Sequence, residues 1–470
     1  MRDSQWIVEF NDTTTESAQN WATNVKNDLS KLAETRSVES MQWAKQSIYR
    51  IPRSVKDLCS GAYQPQTVSI GLYHHGDPHL QSMERHKHRA LLTFLERSKK
   101  PLRCYLDALS PAAQDLRHAY HHLEPVWKGD TEAFLRVMIV DGCFILEIMR
   151  TATAAPESVE KMGYVRNDPV FSSHGALYFV PYIKRDMLML ENQIPLLALA
   201  ILFVAEDDNL LVNGLSKHEQ LSMLILNFFS HPHDANKIHE YGKCLHILDL
   251  CRQSMLMRLS CQKANKPKNR WRFDSDCLPS TGVLKKGDVY IRSAMELTEA
   301  GIQFKQSRTR SLNDISFQGG VLRLPQIMVD DALESEYLNM IAFERFHVGA
   351  GSEVTSFVFF MDGIIDSARD VGLLHSRGII QNALGSDKAV ADLFNSLSRD
   401  VSLDPESSLA VLHQKVVEYC GKPLPRWMAY AKHNYFTNPW VGLSIVAAIF
   451  LFALTGIQTV YTVLGYYHSK

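Results

Sequence analysis

Residues 69–92, SIGLYHHGDPHLQSMERHKHRALL, bring histidines and carboxylates together along a short stretch of chain. Imidazole nitrogens and carboxylate oxygens are ligands that zinc accepts, and a zinc site needs three or four of them at about 2.0–2.2 Å. Glu84 and His88 are four residues apart and would share a face of a helix. The candidate metal ligands are therefore His75, Asp77, Glu84 and His88.

The charges around these residues argue against a metal. Arg85, Lys87 and Arg89 surround the histidines, and their positive charge disfavours binding of a cation. Two other interpretations remain: a polar loop that runs into a helix, and a patch that responds to pH because imidazole titrates near neutrality. We expect a structural or solvated role for the segment and no bound cofactor.

The motifs of common enzyme classes are missing from the sequence. It contains no G-x-S-x-G elbow, no G-x-x-x-x-G-K-[ST] loop, no H-E-x-x-H helix and no kinase signature set. Gly282 and Gly287 have the spacing of a phosphate-binding loop, but Asp288 stands where that loop needs a lysine. We therefore predict a non-catalytic protein, and a metal-dependent enzyme built on the four candidate ligands is the alternative.

Composition indicates a folded protein with no general attraction for nucleic acid. The chain has 470 residues, of which 46% are hydrophobic and 21% charged. Its 50 Lys and Arg residues balance its 51 Asp and Glu residues, so no strong field attracts a polyanion. The eight cysteines are scattered without a CxxC pair, which is typical of reduced cysteines in a core.

An apolar segment near the C-terminus predicts a membrane anchor. Residues 434–467 contain no Asp, Glu, Lys or Arg, and residues 440–463 read WVGLSIVAAIFLFALTGIQTVYTV. A helix rises about 1.5 Å per residue, so this segment covers the roughly 30 Å hydrocarbon core of a bilayer. We predict a transmembrane helix at 440–463 and a short tail at 464–470.

Polar and small residues in this helix could let it pack against a second helix. Small residues allow close approach, and hydroxyl or amide side chains can hydrogen-bond across a bilayer interface. A homo-oligomer and a pore therefore stay open, although a threonine can instead bond to its own helix backbone. The candidate packing residues are Ser444, Ala448, Thr455, Gln458, Thr459 and Thr462.

Flanking charges predict the orientation of the anchor. Arg426 and Lys432 precede it and Lys470 follows it, and positive charge favours the cytoplasmic side. The N-terminal sequence MRDSQWIVEFNDTTTE lacks the apolar run of a signal peptide. We expect a single-pass protein of the plasma membrane, anchored near its C-terminus, with the N-terminal part in the cytosol.

The rest of the chain divides into a leader and one large domain. Residues 1–45 form a polar leader with one amphipathic helix, whose apolar residues recur at helical spacing. Residues 46–435 form the globular domain. Within it, residues 262–290 have turn formers and basic charge without periodicity, which predicts a mobile basic loop.

Helical patterns dominate the domain, and short alternating segments follow residue 300. GIQFKQS, DISFQ and VLRLPQIMVD are typical of strands flanked by turns. The predicted fold class is mainly α (α+β): a large helical domain with a small β-sheet in the C-terminal half, plus one C-terminal transmembrane helix. The predicted helices span residues 84–97, 111–124, 130–150, 180–190, 195–206, 216–230, 236–259, 331–347, 354–376, 386–398 and 405–420.

The histidine segment also carries a family pattern. Residues 51–97 resemble the opening block of the plant domain-of-unknown-function 247 family, in which P-x-x-V-S-I-G-P-[YF]-H-[HR]-G precedes an M-E-x-x-K helix. Leu72 departs from that pattern, because the family usually has Pro there. Further blocks such as DMLMLENQIPLLAL follow in the family's order, so the resemblance covers about residues 45–467. The matching residues are Pro65, Val68, Ser69, Ile70, Gly71, Tyr73, His74, Gly76, Met83, Glu84 and Lys87.

The resemblance implies a plant protein of a mostly membrane-anchored family without assigned chemistry. Some grass members of the family are implicated as determinants of pollen–stigma self-incompatibility, which is a recognition role. We therefore predict a membrane-anchored recognition or signalling protein that acts through a protein or peptide partner, in self-incompatibility, reproduction or defence. The alternatives are the metal-dependent enzyme and an oligomeric assembly or pore formed through the C-terminal helix.

Overall fold

The computed structural model describes most of the chain. It covers residues 16–257 apart from 208–210, 213–214, 232–237 and 240, residues 292–421 apart from 400, 402–403 and 406, and residues 439–468. The described chain is mainly helical with a few short strands, so the predicted mainly α class is confirmed. The predicted basic loop at 262–290 lies outside the described residues.

The N-terminal half is built from helices and one two-stranded hairpin. The described helices are α1 (Glu16–Lys45), α2 (Arg53–Lys56), α3 (Gln81–Ser98), α4 (Leu102–Leu109), α5 (Ala113–His118), α6 (Pro125–Gly129), α7 (Thr131–Thr153), α8 (Pro156–Lys161), α9 (Ser173–Tyr178), α10 (Val180–Met187), α11 (Leu196–Glu206), α12 (Lys217–Phe228) and α13 (Ile247–Leu256). Strands β1 (Leu211–Val212) and β2 (Leu215–Ser216) pair antiparallel.

The C-terminal half adds two small sheets and further helices. Strand β3 (Gln303–Gln306) pairs parallel with β5 (Val321–Leu324), and β5 pairs antiparallel with β4 (Ser316–Gln318). Strand β6 (Ile327–Val329) pairs parallel with β7 (Ile380–Asn382). The helices are α14 (Ala294–Glu299), α15 (Leu333–Phe346), α16 (Glu353–Ile364), α17 (Ala368–Ser376), α18 (Asp387–Leu397), α19 (Ser408–Cys420) and α20 (Pro439–His468).

Helix α7 is the central element of the N-terminal half. It begins after Asp130, whose side-chain oxygen accepts the Ala133 N–H at 2.9 Å and so caps the first turn. Most of its side chains from Phe134 to Met149 are buried, and α3 and α11 pack against it. One hydrophobic core extends from Ile48 to Cys420 and includes residues of both halves.

Helix α1 is the amphipathic helix of the predicted leader. Its apolar residues Trp21, Val25, Leu29 and Leu32 are exposed, so they do not pack into the core. The division of the chain at residues 45 and 46 stays a prediction.

Three predicted helices have clearly different limits in the structure. The helix predicted at 236–259 begins only at Ile247, because the His246 ring accepts the Asp249 N–H at 3.1 Å and caps the first turn there. The segment predicted as one helix over 354–376 is two helices, because Ser367 and Asp370 form a capping box that starts α17. The helix predicted at 111–124 ends at His118, because Tyr120 leaves the helix and forms an isolated bridge with Ile48. In all three places capping or long-range pairing outweighs the local apolar period.

Candidate functional site

Two of the four candidate metal ligands are bound by neighbouring side chains. Glu84 accepts the Ser69 hydroxyl at 3.0 Å and lies 2.7 Å from the Lys87 amine. Asp77 Oδ2 lies 3.0 Å from Nδ1 of His74. An ammonium group already compensates the charge of Glu84, so the attraction of this carboxylate for a metal cation is weakened.

The two candidate histidines have different surroundings. The His75 ring stands edge-on to Trp127, with ring centroids 5.4 Å apart, and His88 is exposed on α3. Among the residues that the structure describes, no three His, Cys, Asp or Glu side chains are grouped so that they could hold a metal ion. The four candidates therefore do not form a three-ligand centre here.

The stretch PQTVSIGLYHHG, residues 65–76, is instead held in place by side chains, and we call it the signature segment. Its N–H groups at residues 66–68 donate to the Asp186 carboxylate at 2.6–3.1 Å. Next, the Ile70 N–H donates to Oδ1 of Asn192 at 2.7 Å. Buried N–H groups need acceptors, and here side chains supply what a neighbouring strand would otherwise give.

The Asp186 carboxyl is nearly inaccessible to solvent, and its protonation reflects two opposing effects. Burial raises the pKa of Asp186, whereas the N–H donors of residues 66–68 stabilise the carboxylate and limit that rise. Asn192 completes this contact, because its amide donates to the carbonyls of Val68 and Asp186, each at 3.0 Å. The end of α10, with Asp186, and the turn after it, with Asn192, therefore hold the signature segment through hydrogen bonds.

A buried ion pair connects the signature segment to α3 and α7. The amine of Lys87, which is 0% exposed, lies 2.8 Å from Asp141 Oδ1 and donates to the Ser69 hydroxyl at 3.0 Å. Asp141 Oδ2 accepts the Gly71 N–H at 2.8 Å. Burial alone would lower the pKa of Lys87, but the carboxylates of Asp141 and Glu84 outweigh burial and raise it. The two short contacts to Asp141 favour its ionised form, although burial raises its pKa.

Gly71 is required where the signature segment turns. Its φ is +74°, a left-handed conformation that favours glycine. A Cβ at this position would lie 2.3 Å from the Gln193 carbonyl oxygen and 2.9 Å from the Tyr120 hydroxyl. That hydroxyl donates to the same carbonyl at 3.0 Å, so neither neighbour is free to move aside.

Glu191 forms the other end of this polar arrangement. Its carboxylate accepts the Ile51 N–H at 2.5 Å and lies 2.6 Å from the Lys56 amine and 3.3 Å from Nε2 of His74. Burial alone would raise the pKa of Glu191, but the contacts with His74, Lys56 and Ile51 outweigh burial and lower it. We call the set of Lys56, His74, Lys87, Asp141, Asp186, Glu191 and Asn192, together with the signature segment, the interlocked network.

A separate cleft of about 490 Å³ contains charges of a different kind. It lies between α10, the end of α12, β6 and the first turns of α15. Met328 on β6 and its register partner Gln381 on β7 line it, because both project from the exposed face of this small sheet. Leu188 and Phe229 contribute apolar surface.

Three cationic side chains line this cleft without a carboxylate partner among the described residues. Lys184 places its amine 4.8 Å from the centre of the Phe228 ring, and burial lowers its pKa. Arg185 donates to the carbonyl of Gly61 and to the Gln66 side chain, which are both neutral. Arg310, which follows β3, is exposed at the edge of the cleft.

A serine, a histidine and a glutamate stand in line beside the cleft. His231 places Nδ1 at 3.1 Å from the Ser254 hydroxyl oxygen and Nε2 at 3.4 Å from Glu336 Oε1. The Ser254 hydroxyl donates to the Cys251 carbonyl at 2.6 Å and is 1% exposed. A serine that is buried and donates to its own helix cannot reach a substrate, so this line of residues positions the His231 ring.

Known proteins match this chain over most of its length. The family model described as a plant protein of unknown function, DUF247, matches residues 48–454. The chain belongs to this family. It is similar to UPF0481 protein At3g47200 of Arabidopsis thaliana, with 31% identity over 90% of this chain and 87% of that protein. It is also similar to "Putative UPF0481 protein At3g02645" of Arabidopsis thaliana, with 25% identity over 93% of each chain. No solved structure matches the chain.

The sequence of this DUF247 chain contained a signal for the interlocked network but none for the cleft. Asp141 stands in the apolar run MIVDGC, and Glu191 and Asn192 stand in MLMLENQIPLL. A charged or amide residue inside an apolar run indicates a buried polar group that needs a partner. The cleft residues occupy ordinary surface positions in distant parts of the sequence.

Helix α20 of the DUF247 chain is long and apolar enough to span a membrane. The qualifying part is Val446–Leu464, none of which is buried. Thr455, Thr459 and Thr462 donate their hydroxyls to carbonyls of their own helix at 2.7–2.8 Å. The other three candidate packing residues, Ser444, Ala448 and Gln458, are exposed on the helix surface.

Proposed function

We propose that this chain is a non-catalytic binding protein held at a membrane by α20. One observation supports the anchor: residues 446–464 form a helix that is long and apolar enough to span a membrane, and none of this stretch is buried. The ten Leu, Ile, Val and Phe residues in that part would together favour insertion by roughly 3–6 kcal/mol. In water the same apolar surface would stay exposed, and the favourable free energy of burying it would be lost.

Charged substitutions test the anchor. Leu451→Arg combined with Leu454→Arg places two charges near the middle of the span, and the added cost of roughly 5–7 kcal/mol cancels the gain from the apolar residues. We expect the full-length variant to leave the membrane pellet on alkaline extraction, while the wild type stays.

The matched control has the same two arginines at the helix ends. Leu443→Arg with Leu464→Arg lets both side chains reach the interface, so this variant stays in the membrane. Release of the wild type, or equal release of the two variants, contradicts the anchor.

We propose in addition that the anchor lies in the plasma membrane with the large domain in the cytosol. The basic residues Arg426 and Lys432 on the N-terminal side of the apolar segment support this orientation. Protease added to sealed, right-side-out plasma-membrane vesicles should leave the domain intact until detergent opens them. Digestion before detergent addition contradicts the orientation.

The proposed partner is a protein or peptide, and an exposed surface beside the cleft supports this class. Leu177, Tyr178 and Tyr182 lie exposed on α9 and α10, next to the cleft residue Pro181. Tyrosine is enriched in protein interfaces because its ring offers a large apolar face and a polar tip.

Photo-crosslinking at the chain's own membrane tests for such a partner. A photoreactive residue in place of Tyr182 should give a discrete adduct with another polypeptide, and the same residue in place of the exposed Val165 should not. An adduct of twice the chain's mass would identify the partner as a second copy, which is the homo-oligomer. Identical patterns at both positions, or no protein adduct at Tyr182, contradict a partner at this surface.

A further inference from the structure

The cleft is lined by three cationic and two carboxylate side chains, and none of the cations has a carboxylate partner among the described residues. Asp330 Oδ1 accepts the N–H groups of Ala332 and Leu333, each at 3.1 Å, at the start of α15. Glu336 Oε1 is buried without a hydrogen-bond partner in the part of the chain that the structure describes, and it lies 3.4 Å from Nε2 of His231, on the α15 side of the cleft. Within the described ranges, Lys184, Arg185 and Arg310 have no carboxylate of their own. With three cations against two carboxylates, the lining has an excess of positive charge.

Lys184 makes this charge costly for the unliganded protein. Its amine is partly buried against the Phe228 ring, and burial lowers its pKa because a cation loses hydration there. An anion placed beside the amine would restore the lost stabilisation. Arg310 and Arg185 offer planar groups of N–H donors, which suit the oxygens of phosphate or carboxylate.

The cleft also has an apolar side of suitable size. Leu188, Phe229 and Met328 line it, and the Met328 side chain is 61% exposed. Its volume of about 490 Å³ falls within the range of roughly 300–1,000 Å³ that is typical of small-molecule sites. A ligand that fits has an anionic group at one end and an apolar group at the other.

We propose that this cleft binds a small amphipathic anion, in which a phosphate or carboxylate group is joined to an apolar group. The cationic side chains of Lys184, Arg185 and Arg310 bind the anionic group, and Leu188, Phe229 and Met328 contact the apolar group. The site does not depend on the anchor proposed above, because none of its residues lies in α20.

Titration calorimetry on the full chain in phosphatidylcholine nanodiscs tests this site with phenyl phosphate as the probe. Inorganic phosphate and phenol each carry one half of its chemistry and should bind at least about tenfold more weakly. Arg310→Gln should weaken phenyl phosphate binding about tenfold, because it removes a charge-assisted hydrogen bond, and Lys184→Gln should act in the same direction.

Arg308→Gln is the matched control. Arg308 is exposed in the same loop as Arg310 but does not line the cleft, so this variant should keep the wild-type affinity. Benzoate in place of phenyl phosphate shows whether a carboxylate serves as well as a phosphate.

A second arm distinguishes a soluble ligand from a lipid headgroup. If the natural ligand is a lipid headgroup, phosphatidic acid added to the nanodiscs should compete with phenyl phosphate. If the natural ligand is soluble, phosphatidic acid should leave the affinity for phenyl phosphate unchanged. Either result, together with phenyl phosphate binding, supports an anion site. The proposal is overturned if phenyl phosphate does not bind, or if Arg310→Gln and Arg308→Gln have equal effects. Membrane retention of the wild type and of Arg310→Gln is measured separately from binding. Absence of phenyl phosphate binding would therefore leave the anchor proposal intact.

Discussion

The interlocked network and the cleft both contain a lysine, but the two lysines have different partners. In the network, Lys87 is fully buried and faces Asp141 at 2.8 Å. In the cleft, Lys184 is only partly buried and has an aromatic ring rather than a carboxylate beside it. A buried charge needs a partner, and a charge left without one beside a cavity is available for a ligand.

The difference shows why a dense group of titratable residues in a sequence need not be a functional site. The histidine segment has more such residues than the cleft lining, yet its backbone and side chains are bound by Asp141, Glu191 and Asn192. The cleft has fewer charged groups, but its cations remain open to solvent or ligand. What distinguishes the two regions is the pairing of charges rather than their number.

The same substitution at the two lysines should give the largest contrast. Lys87→Met leaves the Asp141 carboxylate buried without its cation, and we expect the free energy of unfolding to fall by roughly 3–5 kcal/mol. Lys184→Met removes a cation with no carboxylate partner, so the change should stay below about 1 kcal/mol. Denaturant unfolding of the detergent-solubilised chain, followed by tryptophan fluorescence, measures both. Equal losses at the two positions would contradict the comparison.

A pair of glycines tests how tightly the network encloses its backbone. Gly71→Ala combines a left-handed φ with a contact of 2.3 Å to the Gln193 carbonyl, and we expect a loss of about 3 kcal/mol. Gly76 also has a positive φ, but a Cβ there meets nothing within 4 Å. Gly76→Ala should therefore lose only about 1 kcal/mol. Circular dichroism melts of the two variants compare them, and a larger loss for Gly76→Ala argues against the close approach at Gly71.

Acid should lower the stability of the fold through a buried histidine outside the network. His246 is buried, its Nδ1 accepts the Asp249 N–H at 3.1 Å, and its Nε2 lies 3.1 Å from the Ser47 carbonyl oxygen. Burial lowers the pKa of His246 to about 4. The unfolded chain therefore binds a proton more readily, and stability should fall as the pH drops from about 6.5 to about 4. At pH 5 the loss from this residue is about 2 kcal/mol.

His246→Asn isolates this contribution from that of other groups. Asparagine can still cap α13 but does not titrate, so the stability difference between wild type and variant should narrow as the pH falls from 7 to 5. Burial lowers the pKa of His347 as well, and burial raises the pKa of Asp186, but both groups remain in the two proteins and cancel in the difference. A constant difference across this range would show that His246 does not titrate there.

The smallest effect is expected at the edge of the cleft. Arg310 is exposed, and we expect Arg310→Gln to change the free energy of unfolding by less than about 0.5 kcal/mol. Thermal unfolding of this variant beside Arg308→Gln measures the change. A large loss at Arg310 alone would mean that this side chain supports the fold rather than a ligand.

Several features of the fold could be predicted from local sequence, and others could not. The helices at 84–97 and 130–150 are present, slightly extended, as α3 and α7, because their apolar period agrees with their packing. The single helix predicted over 354–376 was wrong, since the capping box at Ser367 interrupts it. The metal candidates were chosen by spacing along the chain, which does not reveal that Glu84 faces Lys87.

The sequence by itself determined the family and an apolar span, predicted at residues 440–463, because both are visible in runs of residues along the chain. Only the tertiary structure decided that Lys87 meets Asp141, 54 positions away, and that side chains as distant as Lys184 and Arg310 line one cleft. The physical reason is that neighbours in space decide whether a charge is compensated by an opposite charge or remains available to bind a ligand. Those neighbours are fixed by the packing of the whole core.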